Sequence, residues 1–137
     1  MAVFVVDASV SLAWAFADEA TEHTENLLDR LTAGEEVAVP SHWPLEVLNG
    51  LIQAKKKNRI SEQSVQAFLA SLTSFQIAVD AERGYLRLLA IRELAERQRL
   101  TAYDAAYLEL ALRLNLPLAT LDSDLRKAAS AEHVPLL

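Results

Sequence analysis

The sequence predicts an α/β fold, a three-layer α/β/α sandwich around a mainly parallel sheet of about five strands, and three observations carry that expectation. Short runs rich in Val, Ile and Leu alternate with longer segments of helical period, the order expected of consecutive β–α–β units. The first run, Val3 to Val6, is apolar at every position rather than at alternate ones, as a central strand covered on both faces requires. With 137 residues, 52% hydrophobic and 23% charged, the chain is sized for one domain with one core, residues 1–137.

Each element follows from local chemistry. Asp7 marks the end of the first strand, and Ser9 to about Ala17 reads as a short apolar helix. Thr21 to Ala33 forms a second helix, stopped by Gly34 as a left-handed cap, and Val37 to Val39 a second strand. Pro44 suits a first helical turn, after which Leu45, Leu48 and Ile52 keep helical period to about Lys57. Ser61 restarts a helix whose Val65, Phe68, Leu69 and Leu72 share one face. Phe75 to Val79 is a third strand. Glu82 to about Gln98 is amphipathic, with Leu86, Leu89, Ala90 and Leu94 on one side. Ala102 to Leu114 has Tyr103, Ala106, Tyr107, Leu110 and Leu114 at core spacing and ends at Asn115. Leu116 to Leu121 is a fourth strand, Asp124 to Ala131 a short helix, and His133 to Leu136 a terminal strand.

Composition excludes several chemistries. There is no Cys, so disulfides, zinc–thiolate sites and a thiol nucleophile are out. His23, His42 and His133 are dispersed without metal-ligand spacing, and three glycines cannot build a glycine-rich phosphate loop. The opening apolar run is too short for a signal peptide or a membrane span, so a cytoplasmic protein without membrane contact is expected. A net charge of −6 argues against gripping nucleic acid by overall field.

The acids are more informative. Asp7 follows the first strand, Glu46 and Asp104 lie in first turns of helices, and Asp122 follows the fourth strand. Strand C-termini and helix N-termini share one edge of a parallel sheet, so all four can face one crevice. Each has a plainer reading: Asp7 as a helix cap, one of Asp122, Ser123 and Asp124 as another with Asp124 favoured, Thr101 to Asp104 as a capping box, and Glu46 as a partner for a helix dipole. Together they pose an electrostatic problem, because ionised carboxylates 6 Å apart repel by roughly 3 kcal/mol per pair at an effective dielectric of 20. Protons or a divalent cation must compensate, and an all-oxygen donor set favours Mg²⁺, with Mn²⁺ as the alternative. Two bound Mg²⁺ ions bring the formal charge to −2 and concentrate positive charge where a phosphodiester approaches.

Val5-Val6-Asp7-Ala8-Ser9, Glu46-Val47-Leu48-Asn49-Gly50-Leu51, Thr101 to Tyr107 and Ala119-Thr120-Leu121-Asp122-Ser123-Asp124, in this order and spacing, resemble the PIN-domain ribonucleases, in particular the VapC-like toxins of type II toxin–antitoxin systems. The resemblance spans essentially the whole chain. It implies a Mg²⁺-dependent endoribonuclease that cuts single-stranded or looped RNA by metal-assisted attack of water, leaving a 3′-hydroxyl and a 5′-phosphate. It implies Asp7, Glu46, Asp104 and Asp122 as catalytic metal-binding acids, Asp124 as a candidate fifth, and Ser9, Asn49 and Thr120 as supporting polar residues. It also implies a cognate antitoxin protein and a homodimer.

The basic cluster Lys55, Lys56, Lys57 and Arg59 is either a solvated helix end, where cations are favourable, or a contact to the RNA backbone. Trp14, Phe16 and Trp43 are expected in the core, with an antitoxin-binding groove as the other role for Trp14 and Phe16. A phosphoacceptor receiver domain fits less well, lacking an adjacent acidic pair after the first strand and a Lys at the end of the last. A haloacid-dehalogenase-type enzyme would need Asp-x-Asp where this chain has Asp7-Ala8-Ser9. The non-enzymatic alternative is a PIN-like module that binds protein or RNA without cutting.

Overall fold

In the computed structural model, which describes residues 1–137, β1 (Ala2–Val6), β2 (Glu36–Val39), β3 (Gln76–Val79) and β4 (Leu118–Ala119) form one parallel sheet in the order β3-β2-β1-β4. Val5 pairs with Ala38 on one side and with Leu118 on the other, so β1 lies inside the sheet. Its Phe4, Val5 and Val6 are wholly buried, which is why the strand has no polar position. The chain moves outward from β1 through β2 to β3 and then returns to the opposite side of β1 as β4. The strand order reverses between β1 and β4, and at such a point the C-terminal strand ends leave a crevice.

The helices that flank the sheet as the outer layers of the sandwich are α1 (Ala8–Ala13), α2 (Glu22–Thr32), α3 (Trp43–Lys56), α4 (Glu62–Leu72), α5 (Tyr85–Gln98), α6 (Ala102–Leu114) and α7 (Ser123–Ala131). Their ends carry the expected Pro44, Gly34 and Asn115, and two caps besides. Thr21 and Ser61 cap α2 and α4, Pro44 occupies the first turn of α3, and Gly34 and Asn115 take the left-handed backbone that closes α2 and α6. α1 is shorter than the expected Ser9 to Ala17 because the chain tightens into a 3₁₀ turn at Ala17–Glu19. None of the helices is long and apolar enough to cross a membrane.

The sheet has four strands rather than five. β4 covers two residues instead of Leu116 to Leu121: the Leu116 N–H is spent on Ala111 in closing α6, Pro117 has no N–H, and from Thr120 onward the chain serves the next helix. The expected strand at His133 to Leu136 is reduced to one bridge, Leu118 to Leu136, because so short a β4 offers nothing along which a ladder could extend.

Two helices bury faces other than those the apolar spacing suggests, and a third departs from it only at its ends. On α3 the core side is Trp43, Val47, Leu51 and Ala54, whereas Leu45, Leu48 and Ile52 face outward. The helix has two apolar stripes, and the one buried is headed by Trp43, whose indole N–H donates to Ser11 Oγ at 3.0 Å. Further along, α3 passes so close to α1 that a β-carbon on Gly50 would lie 2.5 Å from Leu12 Cδ1.

On α5, only Leu94 of the expected face is buried; Leu86 is 81% exposed. The inward stripe is Arg87, Ile91 and Leu94, spaced i, i+4, i+7, and its head is a charge. Arg87 Nε lies 3.6 Å from both Asp80 and Glu109, and Arg113 bonds the same two carboxylates at 2.6 and 2.8 Å. This ion cluster sets the rotation of α5 against α6. On α6 itself, Ala105 to Ala111 are buried, but Tyr103 and Leu114 at its ends are exposed rather than in the core.

Phe16 and Trp43 are buried, and the half-buried Trp14 gives its indole N–H to the Thr24 carbonyl at 2.9 Å. All three aromatic side chains are engaged in packing.

Candidate active site

The candidate site at the β1–β4 switch is built directly on the strand ends. Asp7 follows β1 without an intervening residue, and its N–H donates to the Ala119 carbonyl of β4 at 3.1 Å. The side chain is 5% exposed and saturated with donors. Oδ1 accepts from Ser9 Oγ at 2.6 Å and from the Val10 N–H at 3.1 Å, the latter being the N-cap of α1, while Oδ2 accepts from Thr120 Oγ1. Ser9 and Thr120 also face the β4–α7 loop: Ser9 Oγ accepts from the Leu121 N–H at 2.9 Å, and Thr120 Oγ1 from the Asp122 N–H at 3.1 Å. Two hydroxyls thus tie Asp7 to the segment that carries Asp122. The capping reading of Asp7 holds, and it occupies Oδ1, while Oδ2 is turned to Thr120.

Asp122, not Asp124, caps α7, accepting the Leu125 N–H on Oδ1 at 2.8 Å. That corrects the preference for Asp124 as the structural cap. Asp124 stands exposed in the first turn. Asp104 sits in the first turn of α6 above the Thr101 cap, whose hydroxyl accepts the Asp104 N–H at 3.2 Å. Glu46, in the first turn of α3, accepts a 2.5 Å hydrogen bond from the buried Tyr107 phenol on α6. His42 Nε2 lies 3.2 Å from the same Glu46 oxygen, at ion-pair range but without hydrogen-bond alignment.

The electrostatics distinguish these acids. Burial pushes the Asp7 carboxyl above its ordinary range, against the pull of Ser9, Thr120 and Val10, and the charge on Asp104 adds to the rise. Asp104 is raised by burial, then by Asp122 and Glu46. Glu46 alone is lowered: burial acts upward, but His42 and the Tyr107 phenol outweigh it. Burial and the Glu46 carboxylate hold Tyr107 firmly protonated, so it serves as a fixed donor. Asp104 therefore feels Asp7, Glu46 and Asp122 at once, and no Lys or Arg pairs with any of the four. The acids lie within the range of charge coupling, but no three acids or histidines stand close enough together to hold a metal ion as they are placed here. None of the molecule's clefts is lined by these four acids.

A PIN-domain family model matches residues 4–131. The chain belongs to the PIN-domain family. Membership carries the coarse function, a metal-dependent nuclease fold that typically uses divalent ions such as Mg²⁺. Among solved structures, the PIN domain resembles the crystal structure of PAE2754 from Pyrobaculum aerophilum, with a TM-score of 0.70 and 24% identity over 93% of this chain and 79% of that one, a likeness of fold. No curated protein matches.

The donors fit a hard divalent cation: oxygen only, mutually repelling, two of them with raised proton affinity and no basic partner. The other candidates fare differently. Asn49 is exposed one turn beyond Glu46 and takes no part in the hydrogen bonding around the acids. The basic cluster lies at the opposite end of α3 from Glu46, about 14 Å away at 1.5 Å per residue. Lys55 pairs with Glu62, and Arg59 pairs with Asp18 and Glu19 and covers the Phe16 ring at 4.6 Å; Lys56 and Lys57 are exposed.

The residue most clearly missed from sequence is Tyr107, whose period marks it as core; it is both core and a partner of Glu46. Its sequence signal, three residues after Asp104 on one helix face, is indistinguishable from packing. Tyr107→Phe removes one hydroxyl and is expected to reduce Mg²⁺ affinity or cleavage about 10- to 100-fold while the circular-dichroism spectrum stays unchanged. Wild-type values for both would show that Glu46 needs no such support.

Proposed function

We propose that this PIN domain is a Mg²⁺-dependent endoribonuclease acting on single-stranded or looped RNA, the toxin of a cytoplasmic toxin–antitoxin pair, and a homodimer in solution. The observation that carries the catalytic part is the set of coupled carboxylates at the β1–β4 switch with no Lys or Arg to neutralise them. Asp7, Asp104, Glu46 and Asp122 are the residues to hold the ion, with Asp124 in the first turn of α7 as the candidate fifth. When bound, Mg²⁺ supplies the positive charge that offsets the phosphate oxygens and acidifies the attacking water.

The chain's own part is positioning. Ser9 and Thr120 hold the two Asp7 oxygens in place, and Tyr107 and His42 favour the ionised form of Glu46, whereas burial raises the proton affinity of Asp7 and Asp104. Hydrolysis delivers hydroxide to phosphorus and a proton to the departing O3′, so no nucleophilic side chain is needed. The toxin assignment and the antitoxin partner are supported by the sequence likeness to VapC-like proteins. Uncovered Leu86, Tyr85 and Leu88 on α5 offer apolar surface for a second copy.

Purified protein is incubated with unstructured RNA and Mg²⁺, with and without EDTA, while induced cells are mapped for new RNA 5′ ends. Cleavage that EDTA stops, new ends and growth arrest relieved by the antitoxin support the full reading. Intact RNA in the presence of Mg²⁺ returns the protein to the non-catalytic binding module.

A further inference from the structure

Tyr103 does none of the internal work of its neighbours. Tyr107, one turn on, is buried and spends its hydroxyl on Glu46, whereas Tyr103, one residue before Asp104, is 64% exposed. Its ring is nevertheless braced. It meets His42 at 5.5 Å between centroids and 61° between planes, and His42 in turn meets Tyr107 at 5.2 Å and 69°. These are edge-to-face contacts that orient a ring without covering both its faces. Leu121 beside Asp122 and Leu45 beside Glu46 are exposed as well, so three of the four acids have an uncovered apolar neighbour in sequence. A phosphodiester and its metal ions have no use for an apolar rim. A duplex would bring only sugar and phosphate to it, but an unpaired base has a π face that an aromatic ring can stack on.

We infer that Tyr103 is a specificity-determining residue: its open face stacks an unpaired base flanking the scissile phosphate, and the His42–Tyr107 pair holds the ring at the height of the acids. The inference rests on the ribonuclease reading and adds to it the side chain that selects unpaired strands.

The test uses unstructured oligoribonucleotides, with binding followed whether or not they are cut and, for one that is cut, kinetics for wild type, Tyr103→Ala, Tyr103→Phe and Tyr103→Trp. Tyr103→Ala is expected to raise KM about 5- to 100-fold with kcat nearly unchanged, while Phe and Trp keep wild-type values. Replacing the flanking nucleotide by an abasic residue should cost the wild type the same factor and cost Tyr103→Ala nothing further. In stopped flow, 2-aminopurine at that position should be quenched on binding to wild type and Tyr103→Phe, and not to Tyr103→Ala. Equal KM for wild type and Tyr103→Ala, or undiminished quenching by Tyr103→Ala, overturns the stacking role even if cleavage proceeds. Quenching that depends on Tyr103 in a protein that never cuts keeps the platform and removes the nuclease.

Discussion

Asp104→Asn is expected to lower Mg²⁺-dependent RNA cleavage by at least the ~100-fold that losing mere supporting residues can cost a metal site, and at the same time to make the metal-free protein more stable. The two effects have one cause. Asp104 is driven toward its neutral form by burial and by Asp122 and Glu46, so near neutral pH its ionisation is a cost to the fold. A carboxyl whose folded pKa lies above its unfolded value binds more protons in the folded state, and its cost appears as pH rises through the unfolded pKa and is complete above the folded one. Lowering the pH through that window should therefore relieve wild type more than Asp104→Asn, which keeps only the contribution of Asp7. Asp7, raised for the same first reason and more deeply buried, should behave alike as Asp7→Asn. Added Mg²⁺ should raise the wild-type melting midpoint in a concentration-dependent way and that of Asp104→Asn much less. Calorimetry at two pH values with and without Mg²⁺ checks the set; an Asp104→Asn protein that melts below wild type and still cuts RNA would contradict it.

Arg87→Ala is expected to cost about 3 kcal/mol of stability, read as a lower urea midpoint, without changing the chemistry at the acids. The Arg87 side chain is 13% exposed and faces Asp80 and the buried Glu109, so its removal leaves two carboxylates to share Arg113. Breaking a buried pair on one side costs more than the pair contributes, because the remaining charge stays desolvated. Arg92→Ala on the same helix is the contrast: Arg92 and its partner Glu96 are both largely exposed, and no measurable change is expected. If both variants unfolded at the wild-type midpoint, the rotation of α5 would have to be set by Ile91 and Leu94 alone.

Sequence alone was sufficient for whatever depends on neighbours along the chain. The unbroken apolar Val3 to Val6, the helix starts at Thr21 and Ser61, the stops at Gly34 and Asn115 and the placement of Asp7, Glu46, Asp104 and Asp122 at element ends are all local, because backbone hydrogen bonding and helix termini are local problems. Which stripe of a helix turns inward is not. α3 and α5 each carry competing patterns, and the choice rested on a Trp43–Ser11 bond across 32 residues and on Arg87 meeting Asp80 and Glu109, contacts between segments remote in the chain. The same holds for the site. Sequence could nominate four acids, but their coupling, the hydroxyl bridges from Ser9 and Thr120, the Tyr107 bond to Glu46 and the removal of Arg59 to a distant ion pair exist only once the β1–β4 reversal has brought strand ends and helix starts to one edge. Electrostatic energy depends on separation in space and on burial, and neither is a property of the order of residues.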